Sequence, residues 1–284
     1  HYDTSMSDIF FNQMGIPEPN YNLGVKAVRH GEMIGRMLID IEKVLISECP
    51  DIVVVYGDTN STVAAALASS NLGIYLAHIE AGLRSYDRAM PEEISRVLTD
   101  NLSDSLFCPT ATAAQNLKSE GITDGVHIVG DIMLDAHKHF SATNAPTEID
   151  HILNDLNGKD YVLATIHRGE NTDDKERLHS IFEGLKRVAK YMTVIIPIHP
   201  RTLKMLNRFD IHSDIRDSIT VIDPVGYMEM LKLQKNSSVI VTDSGGLQKE
   251  AYFSKVPCVT IRQTTEWSET VTTGWNSLCE ADPD

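Results

Sequence analysis

Four predicted strand ends in this chain carry more charged and polar residues than packing requires. Gly57-Asp58-Thr59 follows one apolar run, and His78-Ile79-Glu80-Ala81-Gly82-Leu83-Arg84 follows the next. The interval between Asp58 and Glu80 is about one helix, one strand and two turns, so the two carboxylates emerge side by side on one sheet edge. Glu92 and Glu93 follow Pro91, which suits a helix start where the dipole favours acids. Neighbouring carboxylates point to proton transfer. Taken singly, Asp58 reads as a turn or N-cap residue and Glu92 as a first-turn acid; convergence with Glu80 favours function.

The second half has a different character. Ala164-Thr165-Ile166-His167-Arg168 ends one strand in a His-Arg pair, and Ile198-His199-Pro200-Arg201 repeats the arrangement one unit later. A lone strand-end histidine is usually structural, whereas two in succession suit anion binding or proton transfer. Thr242-Asp243-Ser244-Gly245-Gly246 then opens a helix, and its glycines let backbone N–H groups approach a phosphate. Glu250 falls in the first turns of that helix, either as a ribose acceptor or as a dipole-complementing acid. Arg262 lines the same edge or pairs with Glu266. No Cys/His spacing suggests zinc, and no Walker-type lysine loop is present.

These residues need elements to hold them. Ile52 to Tyr56 predicts a buried strand, being continuously apolar and β-branched between Pro50-Asp51 and Gly57-Asp58. Asn60-Ser61-Thr62 opens an Ala-rich helix to about Ser70. Strands follow at Ile74 to His78, Leu106 to Cys108 and Val126 to Val129. Phe140 to Thr147 is the most loop-like stretch, which divides the chain into domains 1–145 and 146–284. Beyond it, strands are expected at Tyr161 to Ile166, Thr193 to Ile198, Ser218 to Ile222, Ser238 to Thr242 and Val256 to Ile261. Helices are expected at Asp174 to Tyr191, Tyr227 to Lys235 and Gly246 to Phe253. Such alternation is the pattern of parallel sheet with crossover helices. The fold class is therefore α/β: two Rossmann-like domains, each of three α/β/α layers, facing across a cleft that is the default ligand site.

Composition narrows the partners. Lys+Arg 25 against Asp+Glu 40 leaves a net charge of −15, which repels nucleic acid and anionic membrane, so an anionic ligand requires a dedicated site. No window approaches the roughly 18 apolar residues of a membrane span, and His1-Tyr2-Asp3 has no basic n-region. Cys49, Cys108, Cys258 and Cys279 lie far apart and suit reduced core thiols, so the expected compartment is the cytoplasm. The first residue is not Met, and neither end coincides with a fold boundary, as expected of a fragment.

Taken together, Gly57 to Thr62, His78 to Arg84, Asp87-Arg88 with Met90-Pro91-Glu92-Glu93, and His167-Arg168 with Glu170-Asn171 form an ordered series. It continues through His199-Pro200-Arg201, Pro224 with Gly226-Tyr227, and Thr242 to Gly246 with Gln248 and Glu250. Over nearly its whole length the chain resembles the non-hydrolysing UDP-N-acetylglucosamine 2-epimerases, of GT-B-like architecture. The hydrolysing branch departs at the segment matching His78 to Arg84. The resemblance implies interconversion of UDP-GlcNAc and UDP-ManNAc through elimination of UDP, with Asp58, Glu80, Glu92 and His167 as the catalytic set. It assigns UDP-sugar contacts to Arg168, His199, Ser244, Gly245, Gly246, Glu250 and Arg262. No cofactor and no metal are expected. The expected partners are UDP-GlcNAc, UDP-ManNAc and UDP, with no nucleic acid and no membrane, and the expected assembly is a homodimer. The family's opening strand with its Gly-Thr-Arg-Pro-Glu loop has no counterpart, nor have its last helices, and Glu266-Trp267-Ser268-Glu269 replaces the commoner Glu-Arg-Pro-Glu. A GT-B glycosyltransferase and an inactive UDP-sugar-binding protein are the rival readings.

Overall fold

Short β-branched runs become parallel strands here because helices return the chain to the same sheet edge each time. The computed structural model describes residues 11, 13–26, 29–142, 147, 149–211, 215 and 217–281. Two compact units are present, His1–Ile132 and Met133–Asp284, each of α/β class with its own parallel sheet. Their division precedes the loop expected at 140–147; residues 143–146, with the 145/146 boundary, lie outside the described residues.

In the first unit, α1 (His30–Glu48) packs along α2 (Asn60–Asn71), and β1 (Ile52–Tyr56), β2 (Tyr75–Ile79), β3 (Ser105–Cys108) and β4 (Val126–Ile128) pair in that order, all parallel. The intervening helices are α3 (Pro91–Leu102) and α4 (Ala111–Ser119). A reciprocal capping box starts α2: Thr59 Oγ1 accepts from the Thr62 amide while Thr62 Oγ1 accepts from the Thr59 amide. Ala64, Ala66 and Ala68 of α2 are fully buried. The expectation of a buried first strand needs correction. Only one face of β1 is covered, at Val55, while Ile52, Val54 and Tyr56 are 55%, 46% and 60% exposed. Period-2 alternation sends neighbouring residues to opposite faces, and β1 is the sheet's edge strand among the described residues.

The second unit runs through α5 (Ile132–Ser141), α6 (Asp150–Asp155), β5 (Tyr161–Thr165), α7 (Gly169–Thr172), α8 (Lys175–Ala189), β6 (Thr193–Pro197) and α9 (Pro200–Arg208). Next come β7 (Thr220–Ile222), α10 (Tyr227–Asn236), β8 (Val239–Thr242), α11 (Gly245–Ser254), β9 (Cys258–Ile261), α12 (Ser268–Thr272) and β10 (Asn276–Cys279). The strands order as β10-β9-β8-β5-β6-β7, all parallel, so the winding reverses between β5 and β8. Alternate residues of β5 serve separate cores. Val162 and Ala164 pack with Leu178, Phe182 and Leu185 of α8, while Tyr161 and Leu163 pack with Leu233 of α10 and Ala251 of α11. This makes the unit three-layered, and full burial of each such Leu or Phe stabilises by roughly 1.5–3 kcal/mol.

Several predicted strands prove shorter. β9 starts at Cys258 rather than Val256, since Pro257 has no N–H for the ladder. β5 stops at Thr165, because the His167 amide is claimed by a side chain. Strand β10 and helix α12 were not anticipated: Asn276-Ser277-Leu278-Cys279 is too short and polar to announce a strand. Cys108 and Cys258 are buried free thiols, as anticipated of core positions, whereas Cys279 is half-buried and Cys49 exposed, capping α1 in the left-handed conformation. No helix among the described residues is long and apolar enough to cross a membrane.

Candidate active site

Helix α3 turns a charged stripe inward. Glu93, Arg96 and Asp100 recur at i, i+3 and i+7, on one helical face, and all three are buried while Ile94 and Leu98 are exposed. An ordinary amphipathic helix does the reverse, and such a breach of local rules marks a site that the fold has been shaped around. Arg96 Nη2 bonds Asp58 Oδ2 at 2.5 Å and its Nη1 bonds Glu93 Oε2 at 3.0 Å. Glu93 also accepts from the Ser85 amide and hydroxyl and from the Tyr86 amide, which fixes the turn after the Glu80 segment. Asp100 accepts from Arg84 Nη1 at 2.6 Å and from the Gly82 amide at 3.2 Å, and its Oδ1 lies 2.7 Å from His78 Nδ1.

These anchors set the acids. Because Tyr56 is in register with Ile79, Asp58 and Glu80 leave adjacent strands at the same sheet edge, as the spacing predicts. Asp58 is partly exposed and paired with Arg96; it is not the cap of α2, a role that Thr59 takes. Glu80 is half-buried and its backbone is left-handed at φ 74°, a conformation that costs of order 1–3 kcal/mol in a non-glycine residue and collects at functional sites. Gly82 follows at φ 82°, where a Cβ would stand 2.4 Å from the Ala113 carbonyl oxygen. Glu92 lies half-buried in the first turn of α3 behind Pro91. Burial alone would depress the Arg84 guanidinium, but Glu120 and Asp100 outweigh it and the net shift is upward. Burial, reinforced by Asp100, pushes the Cys108 thiol up to about 12, which leaves it inert.

In the second unit the site forms where the winding reverses, at the carboxyl ends of β6, β5, β8 and β9, the place where open α/β sheets hold ligands. Those ends deliver His199, His167 with Arg168, Ser244 to Gly246, and Arg262. The organiser is Asp243, fully buried, whose carboxylate accepts from the amides of His167 (3.0 Å) and Arg168 (2.9 Å) and from Asn171 Nδ2 (3.0 Å). His167 Nδ1 lies 3.2 Å from Asp243 Oδ1, and the His167 and His199 rings are 5.5 Å apart. His199 caps α9, its Nδ1 accepting from the Arg201 amide at 3.1 Å, so hydrogen on the neutral ring sits on Nε2.

Ser244 caps α11, its Oγ accepting from the Leu247 amide. Gly245 and Gly246 then open the helix, where N–H groups have no intrahelical acceptor and the dipole favours an anion. A Cβ on Gly245 would come within 2.5 Å of Glu266 Oε1, so a larger residue would have to displace a buried carboxylate that is paired with Arg262. Arg262 and Glu266 are both buried and pair at 2.9 Å, the alternative the sequence had left open for Arg262. Glu250, the sixth residue of α11, lies in its first two turns as expected, but it faces inward rather than to solvent. Gln234 Nε2 donates to it at 2.7 Å and the Tyr227 hydroxyl lies against it. Burial raises its pKa, opposed by those two hydrogen bonds. Trp267, the departure from the commoner arginine, receives the buried Lys249 ammonium 3.4 Å above its ring, a cation–π contact.

Arg96, Asp100 and Asp243 escaped the sequence reading. The charged residues at 93, 96 and 100 shared a helical face that periodicity alone reveals, and Asp243 stood inside a segment already singled out.

The family model described as UDP-N-acetylglucosamine 2-epimerase matches residues 1–284. A UDP-N-acetylglucosamine 2-epimerase homolog of Methanococcus maripaludis is 53% identical, over 98% of this chain and 78% of its own length. The UDP-2,3-diacetamido-2,3-dideoxy-D-glucuronate 2-epimerase of Pseudomonas aeruginosa is 50% identical, over 99% of this chain and 78% of its own. The crystal structure of Methanocaldococcus jannaschii UDP-GlcNAc 2-epimerase in complex with UDP-GlcNAc and UDP superposes with a TM-score of 0.92 at 46% identity, covering 100% of this chain and 80% of that one.

Proposed function

We propose, for a chain that belongs to the UDP-N-acetylglucosamine 2-epimerase family, that it reversibly inverts carbon 2 of UDP-N-acetylglucosamine to give UDP-N-acetylmannosamine. The observation that carries this reading is the division of labour along the sheet edges: acids on the turns after β1 and β2, donors and a glycine-opened helix after β5 and β8.

Carbon 2 bears no carbonyl, so its proton is weakly acidic. Breaking the C1–O bond, with its electron pair leaving on the UDP oxygen, gives C1 cationic character and lets a base take the C2 proton. The products are UDP and 2-acetamidoglucal. Re-addition of UDP to C1, with a proton delivered to the opposite face of C2, completes the inversion. Exchange on both faces calls for more than one acid or base, and Asp58, Glu80 and Glu92 supply them. His167 assists or steadies the diphosphate. The leaving diphosphate is met by the amides at Ser244 to Gly246 with Arg168 and His199, a preorganised set worth several kcal/mol in the transition state. Glu250 is suited to the ribose hydroxyls and Arg262 to closing the same edge. The four free cysteines suit a reducing compartment, and the same reading carries a cytoplasmic homodimer.

The test is turnover in deuterated buffer followed by NMR. UDP-GlcNAc alone should yield UDP-ManNAc deuterated at C2, and Asp58→Asn or Glu80→Gln should abolish the exchange. Turnover without solvent label would refute the mechanism, and saturable UDP binding with no conversion would favour a sensor. The Pseudomonas relative supports a second reading, a 2,3-diacetamido glucuronate as substrate. Comparing kcat/KM for the two UDP-sugars decides between them.

A further inference from the structure

His78 plays no part in the chemistry above, yet it is fully buried and both of its ring nitrogens face acceptors. Nε2 stands 2.9 Å from the Gly57 carbonyl oxygen and Nδ1 stands 2.7 Å from Asp100 Oδ1. A carbonyl only accepts, so Nε2 carries hydrogen. Asp100 also receives Arg84 and the Gly82 amide, so a proton lies between Nδ1 and Oδ1 as well. Gly57, at φ 61°, is the residue before Asp58, and Gly82 sits two residues beyond Glu80. One imidazole and one carboxylate thus tie the Asp58 turn to the Glu80 turn, while buried Arg84 carries the chain of alternating charge outward to Glu120 at the surface.

We infer that His78 and Asp100 are positioning residues of the epimerisation, holding the turns of Asp58 and Glu80 at a fixed separation through hydrogens on both ring nitrogens. The inference rests on the epimerase reading. It explains why a buried ion chain stands where an apolar core would be at least as stable. Its value lies in register: reacting groups misplaced by about 1 Å lose about 10²-fold in rate.

The test compares three variants with wild-type enzyme on UDP-GlcNAc. His78→Phe keeps the ring and deletes both hydrogens, His78→Gln places an amide N–H where Nε2 stands, and His78→Asn places one where Nδ1 stands. His78→Phe should lower kcat by about 10²-fold with KM within about threefold, and the loss of C2 deuterium exchange should match the loss of turnover. Gln and Asn should each recover part of that kcat by restoring one link. In wild-type protein, 15N spectra of labelled histidine should show hydrogen on both His78 ring nitrogens, a measurement that stands even where a variant fails to fold. A bare Nδ1, a kcat unmoved in folded His78→Phe, or a kcat loss equal to the lost folded fraction would each overturn the inference. A wild-type enzyme that converts neither UDP-sugar fails the epimerase reading instead, and the ring-nitrogen result still stands apart from it.

Discussion

Asp243→Asn is the substitution whose consequences the structure specifies most closely. The wild-type carboxylate uses Oδ2 for the Arg168 amide and Asn171 Nδ2 and shares the His167 amide between Oδ2 at 3.0 Å and Oδ1 at 3.1 Å, while Oδ1 also faces His167 Nδ1 at 3.2 Å. Asparagine can keep its carbonyl oxygen at the Oδ2 position. Its NH2 then stands where Oδ1 was, opposite one backbone donor and one ring nitrogen. One charge-assisted bond is lost and the others become neutral, which costs about 2–4 kcal/mol in all. For a unit of this size Tm moves by roughly 2–4 °C per kcal/mol. The functional effect is separate. An amide donor facing Nδ1 requires a bare Nδ1, so the ring hydrogen moves to Nε2, and a nitrogen that could accept a proton there becomes a donor. On the reading in which His167 assists proton transfer, its loss lowers kcat by about 10²–10⁴-fold. UDP affinity, which keeps the Arg168 anchor, should change by no more than about fivefold, the equivalent of about 1 kcal/mol. Urea unfolding, UDP calorimetry and NMR turnover separate the three quantities. A folded variant that turns over within about threefold of wild type would refute the role given to Asp243, as would a UDP affinity that falls in step with kcat.

Gly82→Ala should destabilise the first unit by at least about 2–3 kcal/mol, since the residue sits at φ 82° and its Cβ meets a backbone oxygen that cannot swing away; urea unfolding within about 0.5 kcal/mol of wild type would contradict this. Glu250→Gln tests the raised carboxyl. A raised native pKa means that the protonated form is favoured on folding. The wild type's standing against the uncharged variant is therefore best below the ordinary glutamate value of about 4.3 and worsens as pH rises through the native pKa. A stability difference between the two proteins that is flat across that window would show that Glu250 is not strained by burial.

Much of the site was legible because its residues are bound to local punctuation. Asp58 follows a β-branched run closed by Gly57, and His167 and His199 end successive strands, so their placement followed once the alternation of strand and helix was read. Ser244 announced a helix start through the glycines behind it. Other features were not local. That β1 leaves Ile52, Val54 and Tyr56 open depends on which strand lies beside it and which helix covers it. That Glu250 turns inward depends on Gln234 and Tyr227, supplied by a different helix.

The order of residues along the chain determined the parallel α/β plan, the strand ends that carry chemistry and the acidic balance that forces an anion into a built site. Only the tertiary structure decided which charges are buried and with whom they pair. Arg96 reaches Asp58, Asp100 reaches His78 and Asp243 reaches His167 across long intervals of sequence. Hydrophobic period encodes which face of an element turns inward, but it is silent on the partner that an inward charge will meet. That partner is set by strand order. In a low-dielectric interior an ion without its partner costs several kcal/mol, so the same order that assembles the sheets selects the charges that hold the site.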